Sequence, residues 1–307
     1  MDFIPRKTFS ELIEEFRFRM YVLTKRRDRI SGILSGFEKL DAITKGFQPS
    51  NLTLIGGVAG MGKTAFALSL IRKMAIEKQY YISYFSLELT SQQLMTSIIR
   101  QQTNISAEKL RLGSLNENES ELVAQKTSQL KNTPLEVYDH PFLTVTDIEN
   151  TLLCSPPDFA PIIIIDSLQL IAKNKKEEVG KTLNKKELAK ICFQLKQLAV
   201  KFNVSIIVLF NFRLLKEKEK YYYSKRPMLA DVRKYAPIDT YADLVLLLYR
   251  PEYYKIDEWD DDEQSPTAGE AEIIVAKNTN GSLDNARVKF DGSKALFDNL
   301  SSYKKMD

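Results

Sequence analysis

The stretch Gly57-Val58-Ala59-Gly60-Met61-Gly62-Lys63-Thr64 decides the fold of this 307-residue chain. It matches the P-loop pattern, G-x-x-x-x-G-K-[ST], in the context that the pattern requires. The apolar run Leu52 to Ile55 precedes it as a predicted strand, and Ala65 to Ile76 follows it as a predicted helix. Glycines let a backbone point several N–H groups at one phosphate chain, and a helix N-terminus adds its positive dipole end. The motif therefore predicts a nucleoside triphosphate site.

The motif also predicts which groups contact that ligand. Lys63 would neutralise the β- and γ-phosphate oxygens, and Thr64 would place its hydroxyl on Mg²⁺. Contacts with the nucleotide are expected along the loop and the first helical turn, from Gly57, Ala59, Gly60, Met61, Gly62, Lys63, Thr64 and Ala65.

Two acidic residues are candidates for the remaining chemistry, since hydrolysis needs an acid near the metal and a group that orients the attacking water. Asp166 ends the apolar run Ile162 to Ile165, a Walker B pattern, and would support Mg²⁺ on a strand beside the P-loop. The alternative is a cap for a following helix. Glu88 follows the predicted strand Tyr81 to Ser86, where a carboxylate can polarise water. The alternative is an ordinary surface residue ahead of a helix.

The composition is that of an ordinary globular protein, with 44% hydrophobic and 27% charged residues. No run approaches the ~20 apolar residues of a membrane span. The N-terminus lacks a secretory signal pattern, so we expect a cytoplasmic protein without a membrane partner. The single histidine, His140, excludes a histidine metal cluster. Cys154 and Cys192 lack metal-ligand spacing and are expected to be buried free thiols.

Charge is unevenly distributed, although the net charge is only +4. Residues 172–226 carry 15 Lys or Arg against five Asp or Glu. Two interpretations are equally open: a solvated face, or a surface that binds a polyanion. Residues 252–263 carry seven acids and one Lys, and the segment 257–263 is predicted to be a disordered loop.

An amphipathic helix is predicted near the N-terminus. Thr8 and Glu11 form a capping-box pattern. Apolar residues then recur at helical spacing over roughly four turns, at Phe9, Leu12, Ile13, Phe16 and Met20. The basic run 25–29 indicates a linker, so the compact domain is expected to begin near Ile30. The apolar face of this helix must be buried, either by folding back or by docking on another copy.

Beyond the P-loop, predicted strands alternate with predicted helices. The strands are 81–86, 135–138, 161–166, 204–209, 244–249, 272–277 and 286–290, and the helices are 91–101, 106–112, 117–131, 145–153 and 188–202. Residues 162–165 are apolar on both faces, as a central parallel strand must be. Asn280-Gly281 is a hairpin signal. The pattern predicts an α/β fold with a mostly parallel sheet and a C-terminal antiparallel hairpin.

Further short segments accompany the P-loop. In chain order they are GFEKLD at 36–41, GFQPSNL at 46–52, SLEL at 86–89, IDSLQL at 165–170, RP at 226–227, DVR at 231–233, ADL at 242–244 and YR at 249–250. Together they resemble the C-terminal RecA-like ATPase domain of the DnaB-type replicative helicases over roughly Ile30 to Asn299. We therefore expect a helix and linker at 1–29, the ATPase domain at 30–300 and a tail at 301–307.

The resemblance implies a RecA-like P-loop NTPase that acts as an ATP-dependent DNA helicase in DNA replication, with ATP and Mg²⁺ as cofactors. It assigns phosphate and metal binding to Lys63 and Thr64, the metal shell to Asp166 and the role of general base to Glu88. Asn211 takes the position of a glutamine that senses the γ-phosphate. Arg250 and Lys277 are also assigned to the nucleotide site.

The resemblance further implies a hexameric ring around single-stranded DNA. Arg233 and Lys234 match a loop that grips the DNA backbone. Tyr221-Tyr222-Tyr223, in the Lys-rich stretch 216–225, would stack on bases, or else belongs to a polar loop without that role. The N-terminal helix matches the linker helix that docks on the neighbouring subunit. A complete helicase or a primase is a further expected partner.

The chain departs from the family at specific positions. Thr279 holds the place of an arginine finger that reaches into the neighbouring subunit, and a neutral side chain cannot stabilise developing phosphate charge. Lys277 remains, as a point charge without the guanidinium fork. In the DNA-binding segment Lys234 replaces an acid and Ala236 a glycine. Residues 1–29 are too few to form the family's N-terminal collar domain.

Three functions are therefore open. The first is a DnaB-like helicase or related ATPase, which predicts DNA-stimulated hydrolysis by a ring. The second is an accessory or inhibitory paralogue that binds ATP but has little motor activity, which the missing finger and collar favour. The third is a RecA-like regulatory ATPase or kinase that does not bind nucleic acid.

Overall fold

The apolar runs of the sequence form one nine-stranded sheet. The computed structural model describes residues 7–25, 31–140, 142–154, 162–172, 183–214, 225–261 and 263–300. The strands are β1 Leu52–Gly57, β2 Ile82–Ser86, β3 Leu135–Tyr138, β4 Ile162–Asp166, β5 Ser205–Asn211, β6 Leu244–Tyr249, β7 Glu270–Asn278, β8 Asn285–Asp291 and β9 Leu296–Asp298. Their spatial order is β3-β2-β4-β5-β1-β6-β7-β8-β9.

The sheet has a parallel part and an antiparallel part. The pairs from β3 across to β6 are all parallel, and β7, β8 and β9 add antiparallel strands to that edge. Every residue of β1, β2, β4 and β6 is buried, which explains why these strands are mainly apolar, with few polar residues such as Thr53 and Ser83. The predicted α/β fold, mostly parallel with a C-terminal hairpin, is confirmed.

Two of the described helices precede β1, and the others lie between successive strands. The helices are α1 Phe9–Lys25, α2 Glu38–Thr44, α3 Lys63–Ile71, α4 Ser91–Thr103, α5 Ala107–Leu112, α6 Glu117–Leu130, α7 Val145–Cys154, α8 Lys185–Phe202 and α9 Leu229–Tyr235. A π-helical segment, Arg72–Glu77, continues α3. Short 3₁₀ turns lie at Leu168–Leu170, Pro237–Thr240 and Pro251–Tyr254.

Two hydrophobic layers cover the two faces of the sheet. One contains Phe66 and Leu70 of α3 with Ile55 of β1. The other contains Leu195 of α8 with Leu54, the preceding residue of the same strand. Successive residues of a strand point to opposite faces, so both layers anchor β1. The loop after β1 is consequently held between two packed cores.

Helix α1 begins at the predicted cap. The Thr8 backbone N–H donates to Glu11 Oε2 at 2.6 Å, and the Glu11 N–H donates to Thr8 Oγ1 at 3.3 Å. No residue of α1 is buried, and Phe9, Phe16 and Phe18 are highly exposed. The predicted linker lies outside the described residues from position 26 to 30. None of the helices within the described ranges is both long and apolar enough to cross a membrane.

Four sequence predictions are corrected. The acidic segment is not a disordered loop where the structure describes it. Trp259 is buried, and the backbones of Glu258 and Pro266 form an isolated antiparallel β-bridge. Residues 229–235 form helix α9 rather than a loop. Strand β4 is separated from β1 by β5, so Asp166 is not on the strand adjacent to the P-loop. Cys154 is exposed, whereas Cys192 is buried as expected.

Candidate nucleotide-binding site

The P-loop joins the end of β1 to the start of α3. Gly60 and Gly62 both have φ +85, a conformation that disfavours L side chains. A Cβ at Gly60 would lie 2.7 Å from the Tyr253 ring, and one at Gly62 would lie 3.1 Å from the Phe297 ring. Met61 is buried and its N–H donates to Val58 O at 3.3 Å. The buried Met61 anchors the loop, while Ala59 and Gly60 at its tip are exposed.

The Lys63 ammonium lies over its own loop. Nζ donates to Gly57 O at 3.0 Å and to Val58 O at 2.9 Å. Burial lowers the pKa of Lys63 to about 8, against the opposing effect of the Glu88 and Asp166 carboxylates. A buried cation that is bonded to neutral carbonyl oxygens in this way fits an anionic group such as a phosphate.

Asp166 is almost fully buried at the end of β4. The Tyr84 hydroxyl donates to Asp166 Oδ2 at 3.0 Å, and the Thr64 side chain lies near this carboxyl group. Burial raises the pKa of Asp166, and the negative charge of Glu88 acts in the same direction. A hydroxyl beside a carboxylate is a donor set that fits Mg²⁺. The two predicted metal ligands thus lie near each other.

Glu88 lies at the same edge of the sheet. Strand β2 pairs with β4 so that Ser86 is opposite Asp166, and Glu88 follows two residues later. Its side chain is exposed, and its charge acts on the pKa values of both Lys63 and Asp166. A solvent-accessible carboxylate at this edge can polarise a water molecule.

Asn211 ends β5 directly opposite Gly57 of the P-loop. Gln169 holds its backbone: Gln169 Nε2 donates to Asn211 O at 2.7 Å, and the Asn211 N–H donates to Gln169 Oε1 at 3.3 Å. The same Nε2 donates to the Tyr235 hydroxyl at 3.0 Å. Gln169 therefore links the nucleotide site to α9. Gln169 belongs to the segment IDSLQL at 165–170, but its residue type alone does not predict this contact.

Arg250 lies beside Gly60 at the tip of the P-loop. Its guanidinium carbon is 3.8 Å from the centre of the Phe290 ring, and Nη1 donates to Gly60 O at 3.1 Å. Burial lowers the pKa of Arg250. Tyr253, half exposed, packs against Gly60. The exposed Tyr253 ring offers a stacking surface for a base, whereas Phe290 is buried beneath Arg250 and supports that guanidinium. Neither Phe290 nor Tyr253 was singled out from the sequence.

Lys277 and Thr279 are not brought to the P-loop of their own chain. In the antiparallel β6–β7 pair, Lys277 is opposite Val245 near the start of β6, whereas the P-loop lies at the carboxyl end of the parallel strands. Lys277 Nζ donates to Asp239 O at 2.8 Å. Thr279 is exposed, and its N–H donates to Asp243 O at 2.9 Å.

The two candidate DNA contacts lie on α9. Arg233 Nε donates to Asp239 Oδ2 at 2.8 Å, in a pair where the Arg233 side chain is 63% exposed and that of Asp239 is 5% exposed. Lys234 is exposed, and its carbonyl accepts from Lys185 Nζ at 2.7 Å. The predicted stacking residues 221–223 and most of the stretch 216–225 lie outside the described residues.

Comparison with known proteins gives a consistent family. The model of the DnaB-like helicase C-terminal domain matches residues 32–299. The replicative DNA helicase DnaB of Geobacillus stearothermophilus is 30% identical over 295 residues, which are 96% of this chain and 62% of that protein. A probable replicative DNA helicase of Trieres chinensis is 31% identical over 291 residues, 94% of this chain and 61% of that protein. The chain thus spans about three-fifths of the length of these relatives.

Solved structures share the fold. One solved structure, of an isolated ATPase domain, superimposes with a TM-score of 0.81 at 24% identity, over 96% of this chain and 100% of that one. A DnaB-like replicative helicase, described with its interactions with primase, gives a TM-score of 0.77 at 24% identity, over 96% of this chain and 68% of that one.

Proposed function

This chain belongs to the family of DnaB-like helicase C-terminal domains, and we propose that it is an ATP-dependent DNA helicase subunit that acts on single-stranded DNA in replication. The observation that carries the proposal is the convergence of four groups at one edge of the sheet. Lys63, Thr64 and Asp166 interact there, and the charge of Glu88 acts on two of them.

Each residue has a role in this proposal. The P-loop, including Ala65 at its helical end, holds the phosphates, with Lys63 as their counter-charge. Mg²⁺, held by Thr64 and supported by Asp166, would supply neutralisation of the β- and γ-phosphate charge. Glu88 accepts a proton from the attacking water. Asn211 contacts the γ-phosphate side, and Arg250 contacts the nucleotide on the side of Gly60.

The remaining residues act between subunits. Lys277 lies far from its own P-loop, which supports a role at the site of a neighbour in a hexameric ring. Arg233 and Lys234 contact DNA phosphates, and α1 docks on the next subunit. A complete helicase or a primase is the proposed further partner. The cytoplasmic location and the division into residues 1–29, 30–300 and 301–307 belong to the same proposal.

A second function is favoured by one observation. Thr279, at the position of the family's arginine finger, is exposed and neutral. A chain without this finger would bind ATP and assemble but turn over slowly, as an accessory or inhibitory paralogue of a helicase. Single-stranded DNA would still bind, with an affinity that falls steeply with salt.

The test is ATP hydrolysis by the full chain with and without single-stranded DNA, with Lys63→Ala as the blank. The helicase proposal expects hydrolysis that DNA stimulates and that is absent in Lys63→Ala. Slow turnover of equal rate with and without DNA would instead favour the accessory function. If DNA binding is also undetectable at low salt, both proposals are wrong.

A further inference from the structure

One buried residue, Asp239, holds two cations that the proposed function assigns to different ligands. Its carboxylate accepts from Arg233 Nε at 2.8 Å, and its backbone carbonyl accepts from Lys277 Nζ at 2.8 Å. Asp239 itself is only 4% exposed and lies in the 3₁₀ turn Pro237–Thr240. The candidate DNA contact and the candidate trans-acting charge are therefore joined through a single residue.

The segment 226–243, which contains α9 and Asp239, is bonded at both ends to β7 or to the residues that directly follow it. At the near end, Arg226 Nε and Nη2 donate to the two Glu272 carboxylate oxygens at 2.8 and 2.6 Å. At the far end, Lys277 binds Asp239 O and the Thr279 N–H donates to Asp243 O. Bidentate pairing fixes orientation as well as distance. Displacement of α9 is thus resisted by the strand that carries Lys277.

We propose that Asp239 is a positioning residue that couples DNA binding at Arg233 to the engagement of Lys277 with the neighbouring nucleotide. The inference rests on the proposed function. A DNA phosphate competes with the Asp239 carboxylate for Arg233. When Arg233 turns to the phosphate, a buried carboxylate loses its counter-charge, which is costly unless another cation compensates. Lys277, already bonded to the same residue, is the adjacent cation, so its freedom to leave changes with DNA.

The coupling has a measurable form, because linkage is reciprocal. We expect the dissociation constant of a fluorescent oligothymidylate to differ between the nucleotide-free protein and the protein with a non-hydrolysable ATP analogue. Asp239→Asn keeps the carbonyl that binds Lys277 and nearly the same shape, but removes the charge. It should tighten nucleotide-free DNA binding, because Arg233 loses its competing carboxylate. The ratio of the larger to the smaller of the two dissociation constants should fall by at least about threefold.

Two further variants make the test specific. Lys277→Ala should shrink the ratio equally, and the double variant should match either single one, because coupled residues are non-additive. Asp243→Asn removes a neighbouring carboxylate that pairs with Lys196 rather than with Arg233 or Lys277, and should keep the native ratio. Thermal melting of each variant identifies losses due to unfolding.

The proposed coupling through Asp239 can be overturned in several ways. A native ratio in Asp239→Asn, additive effects in the double variant, or an equal loss in Asp243→Asn overturns the coupling. A native protein that binds the oligothymidylate with the same affinity with and without the ATP analogue overturns the coupling alone. A native protein that does not bind it at low salt overturns the proposed function and the coupling together.

Discussion

Thr279 lies just past the end of β7, exposed and fixed through its backbone N–H to Asp243. Because a finger arginine contributes on the order of 10³–10⁵ in rate, a Thr279→Arg variant should hydrolyse ATP at least about tenfold faster in the presence of DNA. The rate is measured on the assembled full chain by phosphate release. Its matched control is Asn280→Arg, which adds the same charge one residue later.

The two variants separate chemistry from charge. If Asn280→Arg accelerates hydrolysis as much as Thr279→Arg, the gain comes from general electrostatic attraction of DNA or nucleotide. If neither changes the rate, the position does not reach a neighbouring site. Only a gain confined to Thr279→Arg fits a finger that was lost at this position.

The positions of some site residues follow from local sequence patterns, whereas those of others depend on tertiary packing. The positions of Lys63 and Thr64 could be predicted because they complete the P-loop motif, and that of Asp166 because it ends an apolar run. The pairing of Arg233 with Asp239 could not be predicted, since it depends on the path of the chain between α9 and the following 3₁₀ turn. Tyr253 was likewise missed, because its packing on Gly60 depends on how β6 lies beside β1.

At the scale of elements, length and burial decide what the sequence reveals. The central strands were predicted because burial on both faces leaves mainly apolar residues in them. Helix α2, with seven residues, and β9, with three, were not predicted. Helix α2 has no side-chain cap at its start, whereas the shorter α5, which was predicted, is capped by Ser106. Strand order was also hidden: the position of β5 between β4 and β1 follows from crossover connections that leave no local pattern.

The segment around Trp259 shows how tertiary contacts override composition. Its acidic residues predict disorder, yet Trp259 Nε1 donates to Glu270 Oε2 at 2.8 Å and the Arg287 guanidinium lies 4.5 Å from its ring centre. Arg287 also donates to Asp261 Oδ2 at 2.8 Å. Hydrogen bonds from Ser265 and Arg287 lower the pKa of Asp261 to about 2. One of the acids is thus a structural anchor.

This anchor gives a pH prediction. Because the folded pKa of Asp261 is depressed, its stabilising contacts are present above the ordinary value for an aspartate, about 3.9, and are lost as the pH falls towards about 2. Trp259 is the only tryptophan, so its fluorescence reports on this segment alone. Its emission should shift to the red over that acid range.

The variant Asp261→Asn should show part of this red shift already at neutral pH. Asp260→Asn carries the same change of charge at the neighbouring residue and should keep the native emission. Far-ultraviolet circular dichroism, recorded on the same samples, separates local release from global unfolding. An unchanged spectrum in Asp261→Asn would mean that the other contacts of Trp259 suffice to hold it.

At the scale of the whole molecule, the sheet separates the P-loop from Lys277, the two parts of the proposed nucleotide site. The P-loop lies at the carboxyl end of the parallel strands, whereas Lys277 lies near the start of β6. A six-residue strand spans roughly 17 Å, beyond the reach of a lysine side chain. Residues Lys277 and Lys63 of one chain thus cannot meet at one nucleotide. A complete site of the proposed kind requires a second copy.

Helix α1 is the element that can hold such copies together. Its apolar stripe is exposed along its whole length, and a stripe of that kind must be covered to be stable. Phe16 and Phe18 are a matched pair, 63% and 70% exposed, that point to opposite sides of the helix. We expect Phe16→Glu, on the stripe, to convert the proposed ring to monomers, because it would bury an unpaired charge in the proposed contact of α1 with the next subunit. Phe18→Glu should leave the assembly intact.

Light scattering after size-exclusion chromatography measures the masses of both variants. A native mass for Phe16→Glu would show that α1 does not join the subunits. Equal dissociation of the two variants would show that the added charge alone drives dissociation.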